Sequence, residues 1–439
     1  MTLVAGMSVL LATPAAHATI DVAPDYEVLA PIQTITAVNR DRLDQRVAAA
    51  WSAPALGENK AMAVDAFASP VTPEVDYASD KPLMPASTTK LLTAAAVLKA
   101  LGPEARFTTS VTRQGRQLFL VGGGDPQLTS FPSSQGVNAN ASLLRLAKDS
   151  ARVLADDGVT EVRLRYDDTL FSPPSVQPFW GKDFLSIGVV APITALTADG
   201  GRLNPPASPR SPNPSLTAAQ RFATLLEQEG VTVTGDIVAK AAEGADVASV
   251  DSAPLADLVE HMLLVSDNTE AEVLAHHAGL ELLGEPTFEG GAAATLQELE
   301  GLGVNTKGLV LKDGSGLARR NRISPEQLLL VLRAAIQTDP DALWPIYTGL
   351  PVAGFDGSLA RRFDAPDAAW ARGAVTGKTG TLTGTSTLAG LVVDRDGQLM
   401  TYAVMANDVN VWAASQDIDA VLGRIAGCRC AGVESTAPE

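Results

Sequence analysis

Cysteine is close to absent from this 439-residue chain: Cys428 and Cys430, one residue apart in GCRCAG, are the only two. Such neighbours sit too close for an easy bridge, so no disulfide framework is expected. Histidine is nearly as scarce, with four residues. His17 lies near the N-terminus, His261 on an apolar helical run, and His276 and His277 side by side. With no H-E-x-x-H or similar spacing, neither a metal nor any other cofactor is expected. Basic charge is in deficit, 33 Lys and Arg against 50 Asp and Glu, for a formal net charge of -17. That balance, with no basic cluster, excludes nucleic acid as the main partner, because nothing is there to neutralise phosphates. After residue 18 no apolar run is long enough to span a bilayer.

Apolar residues, at 46%, are plentiful enough over this length to bury a large core and fill two or three domains. Residues 1–18, MTLVAGMSVLLATPAAHA, form an apolar stretch ending in the small-residue pattern Ala16-His17-Ala18, which reads as a secretory signal peptide with its cleavage site. No Lys or Arg precedes Arg40, so the usual basic lead is missing, and an uncleaved anchor is the rival reading.

Periodicity predicts a helix over 40–51, a strand pair within 58–68, and a helix that begins near Ser87 behind Pro85 and stops at Gly102. Residues 106–123 alternate like a hairpin and run into a turn at Gly122–Pro126. Helical spacing over 141–157 and 216–229 is followed each time by a β-type run, 159–166 and 231–238. The five prolines of 203–215 predict an irregular connection. From 254 two helices are expected with Ser266–Asn268 in a tight link, the second started by a Thr269/Glu272 capping box. The C-terminal third reads as at least two strands joined at Asp396-Gly397, then a helix over 413–426. The expected fold class is α+β with an insertion.

Ser87 and Lys90 stand at i and i+3, so on a helix they share a face, their Cβ atoms roughly 5–6 Å apart. An alcohol is a weak nucleophile until a base takes its proton. A lysine among Leu91, Leu92, Ala94, Ala95, Ala96 and Val97 is deprived of solvent, which disfavours its charged form and makes it such a base. An N-capping serine beside a snorkelling lysine fits the same four letters. Two more motifs follow in order, Ser266-Asp267-Asn268 and Lys378-Thr379-Gly380, completing the S-x-x-K, S-D-N and K-T-G set of penicillin-binding proteins and β-lactamases. Ser211-Pro212-Asn213 also fits S-x-N, but lies in the proline-rich link and is set aside as a decoy.

With these motifs, and with FLVGGGDPQL (119–128), DGSGLARRNRISP (313–325) and LPVAGFDGSLARR (350–362), the chain from about 40 to 427 resembles the class C low-molecular-mass penicillin-binding proteins. These are the D-alanyl-D-alanine carboxypeptidases/endopeptidases of the penicillin-binding protein 4 family. The resemblance implies a transpeptidase/β-lactamase-like domain, an antiparallel sheet with helices, interrupted by an inserted α/β domain. Its boundaries here are 28–105 and 246–427 for the catalytic part, 106–245 for the insertion and 428–439 for a C-terminal tail. It implies Ser87 as nucleophile, Lys90 as its base, Ser266 as proton relay, Asn268 as holder of the substrate amide and of Lys90, and Lys378 with Thr379 as binders of the terminal carboxylate. The backbone N–H groups of Ser87 and Thr381 would form the oxyanion hole. Peptidoglycan stem peptides are the implied substrates, β-lactams the implied covalent inhibitors, and the implied location is extracytoplasmic, either secreted or associated with the cell wall or periplasm.

Three departures stand out. The insertion is shorter than usual, with the third domain missing where 203–215 lies; Ala318 replaces the usual serine; and no E-x-x-L-N loop of the class A β-lactamase type occurs. A non-catalytic exported cell-wall binding protein, and a β-lactamase or esterase on the same scaffold, are the competing readings. Whether terminal D-alanine is trimmed, cross-links are cut, or both, stays open, as does the oligomeric state.

Overall fold

The computed structural model describes residues 38–66, 73–131, 141–205, 207–337 and 339–431. Residues 1–37, which carry the expected signal peptide and the start of the expected catalytic part, lie outside them, as do 432–439. Along the chain run α1 (Arg40–Trp51), β1 (Asn59–Ala66), β2 (Val75–Tyr77), α2 (Thr89–Leu101), β3 (Thr108–Gln114), β4 (Gln117–Val121), α3 (Leu143–Asp156), β5 (Glu161–Asp167), β6 (Arg202–Asn204) and β7 (Ala207–Arg210). Then come α4 (Pro214–Gln228), β8 (Thr232–Val233), β9 (Val238–Ala239), β10 (Ala245–Asp251), α5 (Leu255–Val265), α6 (Asn268–Leu283), α7 (Phe288–Gly301) and α8 (Pro325–Gln337). The chain continues through α9 (Pro340–Leu343), α10 (Pro345–Thr348), β11 (Val375–Leu382), β12 (Thr385–Val393), β13 (Leu399–Asn407) and α11 (Val411–Ala426).

The first sheet has the order β11-β12-β13-β1-β2, its neighbours antiparallel. It is buried on both faces, and side-chain alternation sorts the residues. Ala61, Ala63, Ala389, Ala403 and Met405 face one core with α2, α5, α6 and α8, while Met62, Val64, Leu388, Tyr402 and Val404 face another with α1 and α11. Alanines on the first face let helices approach closely, and Ala63 pairs with Ala403 in the centre of that face. Helix α2, buried from Thr89 through Leu98, fills the space beneath.

Between α2 and α5 a second, mixed sheet forms in the order β10-β3-β4-β5-β8, with β9 also on β5. Helices α3 and α4 cover it with Leu146, Leu154, Phe222 and Leu226. Strand β10 pairs with β3, so this sheet reaches Asp251, past the expected boundary at 245.

Several expectations change. The strand pair within 58–68 is one long strand, β1, whose partner is β2 at 75–77. Residues 203–215 are not simply irregular: Arg202 pairs with Arg210 and Asn204 with Ala207 in a short hairpin. The C-terminal third, expected to hold at least two strands, holds three, and Asp396-Gly397 lies between the last two. Residues 428–431 are no free tail, since Cys428 and Cys430 are fully buried under α11 and Asn39 donates to the Cys430 carbonyl at 2.7 Å. The two cysteines do pair as a disulfide, because the chain between them bends to bring their Cα atoms to 5.3 Å, inside the bridging range.

Candidate active site

Ser87 sits on a 3-10 turn, residues 86–88, that leads straight into α2. The turn is entered through Ala86 at φ 48°, a conformation that costs a non-glycine residue energy and persists only where its surroundings impose it. Those surroundings are visible. The Pro85 carbonyl accepts from Thr387 Oγ1 at 2.7 Å, and Gly316 and Gly380 press on the turn so closely that a Cβ on either would overlap backbone. The first N–H groups of a helix have no intrahelical acceptor, so the turn presents donors near the serine.

Lys90 is one turn on and 0% exposed, which excludes the snorkelling alternative. Its Nζ lies 3.0 Å from Ser87 Oγ, 2.7 Å from Asn268 Oδ1 and 2.8 Å from the Ser315 carbonyl. The last two can only accept. Asn268 is fixed in this orientation because its Nδ2 donates to the Val189 carbonyl at 2.9 Å. A neutral amine that spends its two N–H on Asn268 and Ser315 points its lone pair at the Ser87 hydroxyl. Burial lowers the Lys90 pKa to about 8, against the opposing pull of Asp267, Glu272, Asp313 and Glu270.

Ser266 closes α5 in the left-handed region at φ 62°, and Asp267 then caps α6, accepting from the N–H groups of Thr269 and Glu270. The cap is therefore Asp267 alone, not a Thr269/Glu272 box; Glu272 turns inward to accept from the N–H groups of Gly314 and Ser315 at 3.1 and 2.8 Å. Lys378, also 0% exposed, comes from β11, the edge strand, and donates to Ser266 Oγ at 2.8 Å and to the Thr379 carbonyl at 3.0 Å. Burial and the nearby Lys90 charge push the Lys378 pKa well down. Two buried amines of like charge oppose each other's protonation, which favours a neutral form of one of them.

Thr379 Oγ1 donates to Ser358 Oγ at 2.8 Å, and the exposed Thr381 pairs with Ser386 two residues further along β11. Thus Ser87, Lys90, Asn268, Ser266, Lys378 and Thr379 converge, while Ser211 and Asn213 serve only to start α4 through Asn213 Oδ1 and the N–H of Leu216. His276 and His277 are buried on backbone carbonyls of Glu272 and Gly124, and burial lowers both to about 4.

Sequence reasoning missed several contributors. The carbonyls of Val189 and Ser315 act through backbone, which no side-chain pattern reveals. Ser358 stands inside LPVAGFDGSLARR, where the Asp356-Gly357 turn signal next to a hydroxyl was the available clue. The insertion also reaches the site: Trp180 Nε1 donates to Asp313 Oδ2 at 2.8 Å, Gln177 Nε2 to the Lys312 carbonyl at 2.6 Å, and the Ala191 N–H to Thr269 Oγ1 at 3.1 Å. Ala318 packs fully buried beside Trp180 and Leu317, where a serine hydroxyl would be enclosed.

The sequence pattern of the D-Ala-D-Ala carboxypeptidase 3 (S13) family matches residues 43–212 and 204–426. The chain is similar to Carboxypeptidase DacB of Mycolicibacterium smegmatis, 36% identical over 358 residues that cover 80% of this chain and 76% of the relative. It is also similar to a D-alanyl-D-alanine carboxypeptidase of Actinomadura sp., 29% identical over 431 residues covering 78% and 77%. Among solved structures, penicillin binding protein 4 (dacB) from Haemophilus influenzae matches in fold with a TM-score of 0.69 at 21% identity, over 88% of this chain and 98% of that one.

Proposed function

This chain belongs to the D-Ala-D-Ala carboxypeptidase 3 (S13) family, and from that premise we propose that it is a serine-type D-alanyl-D-alanine carboxypeptidase acting on peptidoglycan stem peptides outside the cytoplasm. The observation that carries the reading is Lys90 Nζ, sealed from solvent and held 3.0 Å from Ser87 Oγ by two partners that only accept. With a pKa of about 8 rather than the ordinary 10.5, roughly one lysine in ten is neutral at pH 7, against about one in 3,000 otherwise.

In this reading Lys90 takes the Ser87 proton as Oγ bonds to the carbonyl carbon of the terminal peptide bond. The N–H groups of Ser87 and Thr381 hold the oxygen that becomes negative. Ser266 passes its proton to the leaving amine and regains one from Lys90, so the C–N bond breaks, D-alanine departs and Lys90 is neutral again. Water then attacks the acyl-enzyme with Lys90 as base, the ester C–O bond breaks, and Ser87 Oγ leaves with the proton Lys90 has taken. Asn268 orients Lys90 and the substrate amide, and Lys378 and Thr379 draw in the terminal carboxylate. Residues 351–353 already pair with the Val375–Gly377 end of β11, so a peptide laid along the remaining edge from Lys378 onward would add to the sheet as a new strand.

Intact mass before and after penicillin, with Ser87→Ala alongside, tests the assignment. A single penicilloyl adduct on the wild type and none on the variant supports it, together with D-alanine release from a peptide ending in D-Ala-D-Ala. A folded wild type that gains no mass and releases no D-alanine refutes it and favours a non-catalytic wall-binding protein.

A further inference from the structure

We infer that Glu272 is a positioning residue for the base: it anchors the Gly314–Ser315 peptide so that the Ser315 carbonyl stays on Lys90 Nζ. The inference rests on the reading of Ser87 and Lys90 given above. Glu272 lies one turn beyond Asn268 on α6 and is 0% exposed. Each of its carboxyl oxygens accepts one backbone N–H, Oε2 from Gly314 at 3.1 Å and Oε1 from Ser315 at 2.8 Å. The same peptide is tied to the serine helix by Thr93 Oγ1, which donates to the Gly314 carbonyl at 2.7 Å. The loop has no slack. A Cβ on Gly314 would stand 2.6 Å from the Ala275 Cβ, and one on Gly316 1.9 Å from the Ala86 carbonyl oxygen. α6 thus supplies two of the three partners of Lys90, Asn268 directly and Ser315 through Glu272.

Loss of the Ser315 acceptor would free one Lys90 hydrogen to rotate toward Ser87, and the lone pair would no longer be aimed at the hydroxyl. Charge acts alongside. Lys90 is faced by Asp267, Glu270 and Glu272 from α6 and its cap, by Asp313 from the loop, and by Lys378 from β11. Glu272 itself is faced by Asp313 and Lys90, and burial with Asp313 raises its own pKa. With its pKa raised to about 8, Glu272 acts on the Lys90 charge only where it is ionised, so its role rests on the two hydrogen bonds it accepts from the Gly314 and Ser315 N–H groups.

The test follows penicillin acylation by time-resolved intact mass for wild type, Glu272→Gln and Glu272→Ala across about pH 6 to 10, separating initial binding from acylation, with Ser87→Ala as blank. Acylation is expected to slow roughly 10- to 100-fold in both variants, with initial binding unchanged. Gln retains one acceptor and nearly the same shape, so it keeps the measurement possible if Ala fails to fold. A folded Glu272→Gln with wild-type acylation, or one whose loss lies in initial binding rather than in acylation, overturns the positioning role. A wild type that is never acylated overturns the nucleophile and base themselves, which is a different result.

Discussion

Gly380→Ala should damage the site although it adds one methyl group. The new Cβ would stand 2.0 Å from Thr387 Oγ1, 2.5 Å from the Pro85 carbonyl oxygen and 3.2 Å from the Ser87 nitrogen. Thr387 cannot swing aside freely, since its hydroxyl donates to that same Pro85 carbonyl at 2.7 Å. The remaining relief is to separate β11 from the serine turn by about 1 Å, enough to bring the carbonyl contact to ordinary van der Waals distance. Overpacking of this kind costs about 1–3 kcal/mol of stability. The same shift moves Thr381 and Lys378 away from Ser87, and misplacement of that size slows chemistry about 100-fold. Penicillin acylation rates and thermal melting measure the two effects. Gly301→Ala, at the end of α7 with open space around its Cβ, is the control and should stabilise by about 0.5–1 kcal/mol without touching the rate. If Gly380→Ala acylates at the wild-type rate, the tight seat of β11 against the serine turn is not what aligns the site.

Other outcomes follow from the same geometry. Acylation should rise about tenfold per pH unit up to pH about 8 and then level, because only neutral Lys90 accepts a proton and its pKa is lowered to about 8; a rate flat from pH 6 to 9 would contradict this. Lys90→Arg should cost about 10²- to 10⁴-fold in acylation while leaving the melting temperature measurable, since a guanidinium stays charged; an active variant would remove the base role. Ser358→Ala should raise KM for a peptide substrate about two- to tenfold at nearly constant kcat, as expected for one hydrogen bond behind Thr379; a loss confined to kcat would assign Ser358 elsewhere.

The site was more legible in the sequence than its surroundings. Ser87, Lys90, Ser266, Asn268, Lys378 and Thr379 declare themselves because the proposed chemistry is assigned to their side chains and their spacings are short. Ser315 and Val189 contribute only carbonyl oxygens, which any residue could supply. Glu272 was visible but misread, since a glutamate three residues after a threonine at a helix start looks like a capping partner, and only the DGSGL loop, 41 residues on at Asp313, shows otherwise. In β1 both sheet faces are covered, so AMAVDA shows no polar alternation and its extent was blurred. Around 203–215 prolines masked a short hairpin whose pairing residues, Arg202 and Arg210, enclose three of them.

The ties from Val189 to Asn268 and from Trp180 to Asp313 join the insertion to the reaction as well as to the fold. The segment 177–191 therefore answers to two demands at once, the surface the insertion shows its surroundings and the angle of one carboxamide at the reacting centre. An insertion transplanted from a relative would have to carry its own carbonyl to the position of Val189 for Asn268 to keep its orientation.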